Sequence, residues 1–137
     1  MGYTGDEPTQ LLSSDAGPSP AETLLHGMAN CVSVTSSYHA AARGLPLDAF
    51  KVDFEGDIDL QGFADLDDNV TPAYQNVRGK IHVKAGGSRE AIAKFLKFAT
   101  SHSPMCDSVS RPVHTTFSLV HNGQAISQPV GSAAAAG

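Results

Sequence analysis

Basic residues are few in this chain and nowhere clustered: nine Lys and Arg face fourteen Asp and Glu, a net charge of −5 over 137 residues. Nucleic-acid backbones are held by grouped Lys and Arg, so no nucleic-acid partner is expected. Long apolar runs are missing as well, and none approaches the roughly 20 residues that cross a bilayer. The opening MGYTGDEPTQ has no basic patch followed by an apolar core, so neither a secretory signal nor a membrane partner is expected, and a cytoplasmic location is. The Asn69-Val70-Thr71 triplet therefore carries no glycosylation meaning. Cysteine occurs only at positions 31 and 106, and in a reducing cytoplasm a structural disulfide between them is not favoured. A Gly-rich phosphate loop is absent, so nucleotide chemistry has no support and no cofactor is implied.

What is present is an ordinary globular composition, 41% hydrophobic and 17% charged, long enough for one domain with its own core. Residues 1–18 are rich in Gly, Pro, Ser and acidic residues around the Leu11-Leu12 pair and read as an arm. The domain proper is expected over residues 19–122. It opens with Ser19 as N-cap, Pro20 at the first helical position and Glu22 completing a capping box. That helix carries Cys31 near its middle, on a face with Leu24, Met28 and Val34, and closes at Arg43-Gly44 with Pro46 beyond.

FKVDFEGDIDL follows, with Phe50, Val52, Phe54, Ile58 and Leu60 on one parity and Lys51, Asp53, Glu55, Asp57 and Asp59 on the other. Such alternation predicts a strand or a bent pair of strands with one buried face, and Gly56 is the expected bulge. The connection FADLDDNVTP places Asp65, Asp67, Asp68 and Asn69 close together, but it lacks the Gly and terminal Glu of a calcium loop, so a solvated loop is expected. NVRGKIHVKAGG predicts a second strand, with Val77, Ile81 and Val83 inward. Ser88 caps a second helix whose Ile92, Phe95, Leu96 and Ala99 share a face. Alternation of Val113, Thr115, Phe117 and Leu119 predicts a third strand, and residues 123–137 read as a low-complexity tail, frayed or disordered. Two long strands in succession with no helix between them indicate an α+β fold with an antiparallel sheet.

Three stretches, GPSPAETLLHGMANC, the alternating strand ending GDIDLQGF, and a capped helix leading into SPMCDSVSRPV, together resemble the OsmC/Ohr family, in particular its OsmC-like branch, over roughly Asp6 to Val120. The resemblance implies an antiparallel sheet with a long central cysteine-bearing helix and a second helix, completed by an intertwined homodimer. It also implies thiol-dependent reduction of organic hydroperoxides, with Cys31 as the peroxide-attacking residue. A thiolate is the nucleophile, and Cys31 sits mid-helix where the helix dipole gives little help. In the characterised peroxidases an Arg from an N-terminal strand supplies the positive charge, a Glu near the helix start holds it, and a second cysteine resolves the sulfenic acid.

This chain departs from that pattern in three places. No Arg precedes Arg43. The position directly after the opening proline is Ala21, with Glu22 one residue on, matching other OsmC-like proteins. The family's resolving cysteine position is occupied by Ser103, and Cys106 follows three residues later. Candidate catalytic residues are thus Cys31, Glu22 and Cys106. Glu22 also reads as a plain capping residue, and a mid-helix cysteine as a small buried hydrophobe. His26 and His39 are not spaced as a metal pair, His82 and His114 fall on outward parities, and no metal is expected. No motif sets a histidine beside Cys31 for cysteine hydrolysis. Two functions remain: a hydroperoxide-reducing enzyme served by Cys106 or by an external thiol, or a catalytically weak dimer that binds an apolar small molecule or has a structural role.

Overall fold

A computed structural model describes residues 4–126. The chain divides into two units, one ending at Cys106 and the other beginning at Asp107.

In the first unit the arm is built around one carboxylate. Asp6 accepts from the Ser13 hydroxyl, from the Ser14 hydroxyl at 2.5 Å, and from the backbone N–H groups of Ala16 and Glu7 at 2.8 and 2.9 Å. These bonds, that of Ser13 first, hold its carboxyl well below the ordinary range. The arm then leads into helix α1, Pro20–Ala42. Its capping box forms as the sequence requires, with the Ser19 N–H donating to Glu22 Oε2 at 2.8 Å and the Glu22 N–H to Ser19 Oγ at 3.2 Å. At the other end Gly44 takes φ +63°, and the N–H groups of Gly44 and Leu45 reach back to the carbonyls of Ala41 and Ala40 at 3.1 and 2.9 Å. That is a Schellman stop, which favours glycine at its left-handed residue. One stripe of α1 is buried: Met28, Val32, Ser36 and Ala40, four residues apart.

Strands β1, Leu47–Ile58, and β2, Tyr74–Ala85, form an antiparallel hairpin. The expected parity holds as far as Gly56 and along β2: Phe50, Val52, Phe54, Val77, Ile81 and Val83 are the more covered residues, and the charged residues between them are exposed. It fails beyond, where Ile58 and Leu60, expected on the covered face, are exposed, because the strand ends at Ile58 and Leu60 opens a short helix. On the wet face Arg78 pairs with Asp57 at 2.5 Å and Glu55 at 2.9 Å, while Asp53 meets Lys51 at 2.8 Å and His82 at 3.2 Å. Gly56 is not the bulge. The register shifts lie between Leu47 and Ala49 and between Asp57 and Ile58, and Gly56 stays paired with Val77. The glycine is needed for space, because a Cβ there would stand 2.5 Å from the Tyr74 ring, and one at Gly79 would stand 2.6 Å from the ring of Phe54 opposite. Aromatic rings thus cover both backbone gaps of the hairpin.

Between the strands Asp59 caps a short helix, α2, Leu60–Phe63. The acidic connection beyond it closes on itself, with Asp67 accepting from the N–H and side-chain amide of Asn69, both at 2.9 Å. The Tyr74 hydroxyl donates to the Ala21 carbonyl at 2.6 Å and ties the start of β2 to the start of α1. Helix α3, Arg89–Ser101, is capped by Ser88 and buries Phe95 and Ala99. These two meet Ala40 of α1 in a small core, flanked by Leu45, Leu47 and Leu96. Helix α4, Pro104–Ser110, begins directly after it.

In the second unit the expected third strand is not one long element. Only Leu119–His121 is strand, β3, and it pairs with β4, Gln124–Ile126, rather than joining the β1–β2 sheet. Val113 and Phe117 are exposed, so the alternation there has no surface on which to bury its apolar parity. The segment after Gly123, expected as tail, starts with β4, because Asn122 and Gly123 take φ +51° and +79° and turn the hairpin. The rest of that expected tail lies outside the described residues. Among the described residues, no helix is long and apolar enough to cross a membrane.

Candidate thiol site

Cys31 lies on α1 beside the buried stripe, neither on it nor in open solvent, and its thiol is half-buried. Its own face of the helix is less covered than the sequence suggested. Met28 is buried, but Leu24 is 41% exposed and Val34 and Tyr38 are each 70% exposed. An apolar strip therefore runs uncovered along the helix that carries the thiol.

The junction of α3 and α4 supplies the other side of the site. Helix α3 is capped at His102, and the Ser103 N–H donates to the Thr100 carbonyl at 3.2 Å. Pro104 cannot continue the α3 hydrogen bonding and starts α4 instead. The turn between them carries Ser103 inward, to 0% exposure. From there the Ser103 hydroxyl and the Met105 backbone N–H face the Cys31 sulfur, and the Thr35 hydroxyl joins them from one turn along α1. Burial pushes the thiol up, but the donors Ser103, Met105 and Thr35, in that order, outweigh it and leave Cys31 below its ordinary value.

The expected cation is not what acts on Cys31. Among the described residues, the groups that lower it are all neutral hydrogen-bond donors. Arg43 stacks over the Phe98 ring at 4.2 Å, and Arg78 and Arg111 are paired with carboxylates. Glu22, nine residues before Cys31, is set back by about 13 Å along the helix axis, and its carboxylate accepts from the Ser19 N–H. The structure thus does not bring Glu22 and Cys31 together. Cys106 is half-buried in the first turn of α4, and neither cysteine is in a disulfide. Two of the histidines weighed from the sequence are engaged elsewhere: His82 with Asp53, and His39 edge-on to Phe98 and His102. No group of three potential metal ligands occurs among the described residues. Sequence reasoning missed Ser103, Met105 and Thr35 as donors; only Thr35, four residues from Cys31 on one helix, carried a local signal.

Three clefts lie near the start of α1, one of them, about 630 Å³, lined by residues 15–18 with Glu22, Thr23 and His26; the other two flank the hairpin and the arm. Of these two, one, about 270 Å³, runs between Leu25, His26 and Ala29 of α1 and Val52 to Phe54 of β1. The other, about 540 Å³, is lined largely by apolar side chains, among them Leu11, Pro20, Ile58, Leu60 and Phe63. None of the three is lined by Cys31.

Compared with known proteins, residues 13–118 match the family model described as OsmC-like protein. An OsmC-like protein from Mycoplasma pneumoniae has a similar structure at 16% identity, with a TM-score of 0.66 over 77% of this chain and 70% of that one. An OsmC-like protein of unknown function from Vibrio cholerae is similar at 16% identity, with a TM-score of 0.58 over 72% of this chain and 62% of its own. No curated protein matches the chain. The structural likenesses speak for the fold, a small antiparallel sheet packed with helices.

Proposed function

Since this chain belongs to the OsmC-like protein family, we propose that Cys31 reduces organic hydroperoxides with electrons from an external thiol. The observation that carries this reading is the convergence of three donors on a half-buried cysteine, strong enough to outweigh its burial. An inert core cysteine has no need of such company.

The Cys31 thiolate attacks the outer peroxide oxygen, so that an S–O bond forms as the O–O bond breaks. The alcohol leaves after taking up a proton, and Cys31 becomes a sulfenic acid. One external thiol displaces water from it to give a mixed disulfide. A second thiol releases Cys31 and forms the external disulfide. The acceptor is a hydroperoxide with an apolar body, because the exposed side chains that share the Cys31 face of α1 are Leu24, Val34 and Tyr38. These side chains would be covered by a second copy of the chain, and the working unit is a homodimer.

The test is consumption of an organic hydroperoxide with a dithiol present. The protein should sustain turnover, and Cys31→Ser should abolish it while circular dichroism and melting stay native. A parent protein that consumes no hydroperoxide overturns the reading. It would leave the second reading, a small-molecule binder, which the largely apolar 540 Å³ cleft favours.

A further inference from the structure

We infer that Ser103 is a positioning residue for the Cys31 thiolate and, resting on the reading of Cys31 as a peroxide-reducing thiol, for the sulfenate that follows oxidation. Three observations lead there. Ser103 is 0% exposed, so no solvent satisfies its hydroxyl. Its backbone N–H is committed to Thr100, and its Oγ has no well-formed hydrogen bond to any described residue. The group that the hydroxyl faces is the Cys31 sulfur.

A buried hydroxyl without an acceptor is unfavourable. A protonated thiol is a weak acceptor and leaves it so, whereas a thiolate is a charged acceptor that draws the proton in. The pocket is therefore better matched to sulfur without its proton than with it. Thr35 and the Met105 N–H add donors from α1 and from the first turn of α4. No titratable or charged side chain among the described residues contributes to lowering Cys31, so Ser103 is the principal donor available. After peroxide attack the same hydroxyl can donate to the sulfenate oxygen. It cannot form a disulfide, so the oxidised sulfur waits there for a thiol from outside.

The experiment is done in a Cys106→Ser background, so that Cys31 is the reporting thiol. Iodoacetamide alkylation of the native protein is followed by mass from pH 5 to 10. Ser103→Ala should raise the alkylation midpoint by about one unit, a tenfold loss of thiolate at lower pH. The more basic thiolate is the better nucleophile, which returns about threefold, so alkylation at neutral pH should slow about threefold. Ser103→Thr, which restores a hydroxyl, should move the midpoint back. Ser103→Cys provides a check that does not depend on the alanine variant folding: diamide should link the new thiol to Cys31 in the native protein. An unchanged midpoint in a natively folded S103A protein, or a native S103C protein that diamide fails to link, would overturn the assignment. A parent protein that consumes no hydroperoxide overturns the peroxidase reading alone, and the midpoint and the linkage still decide Ser103.

Discussion

At Cys31 two influences oppose each other, and the balance sets the chemistry. Partial burial favours the thiol, while Ser103, Met105 and Thr35 favour the thiolate and prevail. A group whose folded value is depressed contributes stability above its unfolded value and loses it as pH falls through the folded value. Native Cys31 should therefore be alkylated at lower pH than the same cysteine in denatured chain. Cys106 should not relieve an oxidised Cys31. A disulfide needs Cα atoms within roughly 7 Å, and the position that meets the Cys31 sulfur belongs to Ser103, with Cys106 about one helical turn, or ~5 Å, further along. Mass spectrometry after stoichiometric peroxide should find sulfenic or over-oxidised Cys31; rapid, near-complete linkage of Cys31 to Cys106 without added thiol would contradict this.

Among the elements, α1 depends most on its first turn. Ser19 is itself buried, and its hydroxyl and N–H are both used in the reciprocal bond with Glu22. Ser19→Ala should cost about 1 kcal/mol, read as a lower denaturant midpoint with an unchanged slope. Glu22→Gln keeps an acceptor for the Ser19 N–H and should cost less. The hairpin is held differently, by rings over glycines and by the packing of β1 on α1. Its exposed ion pairs around Arg78 contribute little, since such pairs are worth about 0–1 kcal/mol.

For the whole molecule the decisive feature is how little apolar surface the described residues bury completely. Among them the buried hydrophobic residues are only Met28, Val32, Ala40, Phe95 and Ala99, and Phe95 keeps 8% exposure, while Val34, Tyr38, Phe63 and Leu66 are each well over half exposed. A second copy seated along the Cys31 face of α1 would cover Val34 and Tyr38. The chain should therefore be an obligate homodimer, with an interface of ~2,000 Å² or more. Light scattering at micromolar concentration should show twice the chain mass, and Val34→Asp should shift it towards monomer. A monodisperse folded monomer of the parent protein would contradict the assembly.

Local chemistry decided most of the elements before any packing was known. The Ser19-Pro20-Glu22 opening, the Arg43-Gly44 stop and the Ser88 cap act within a few residues of themselves, so the two long helices were legible along the chain. Alternation likewise fixed which faces of β1 and β2 are covered. It misled at residues 113–119, because period two predicts a strand only where a surface waits to take its apolar side. The Asn122-Gly123 turn carried its own hairpin signal, obscured by the biased composition that follows it. Gly56 could mark a bulge or a close approach, and only the strand register, which brings the Tyr74 ring over it, chose the second. At the thiol site the sequence marked Cys31 and the α3–α4 junction as separate features. Tertiary folding joined them: Ser103 and Met105 lie far along the chain from Cys31, and hydrogen bonds to a half-buried sulfur depend on distance in space, which no spacing along the chain encodes.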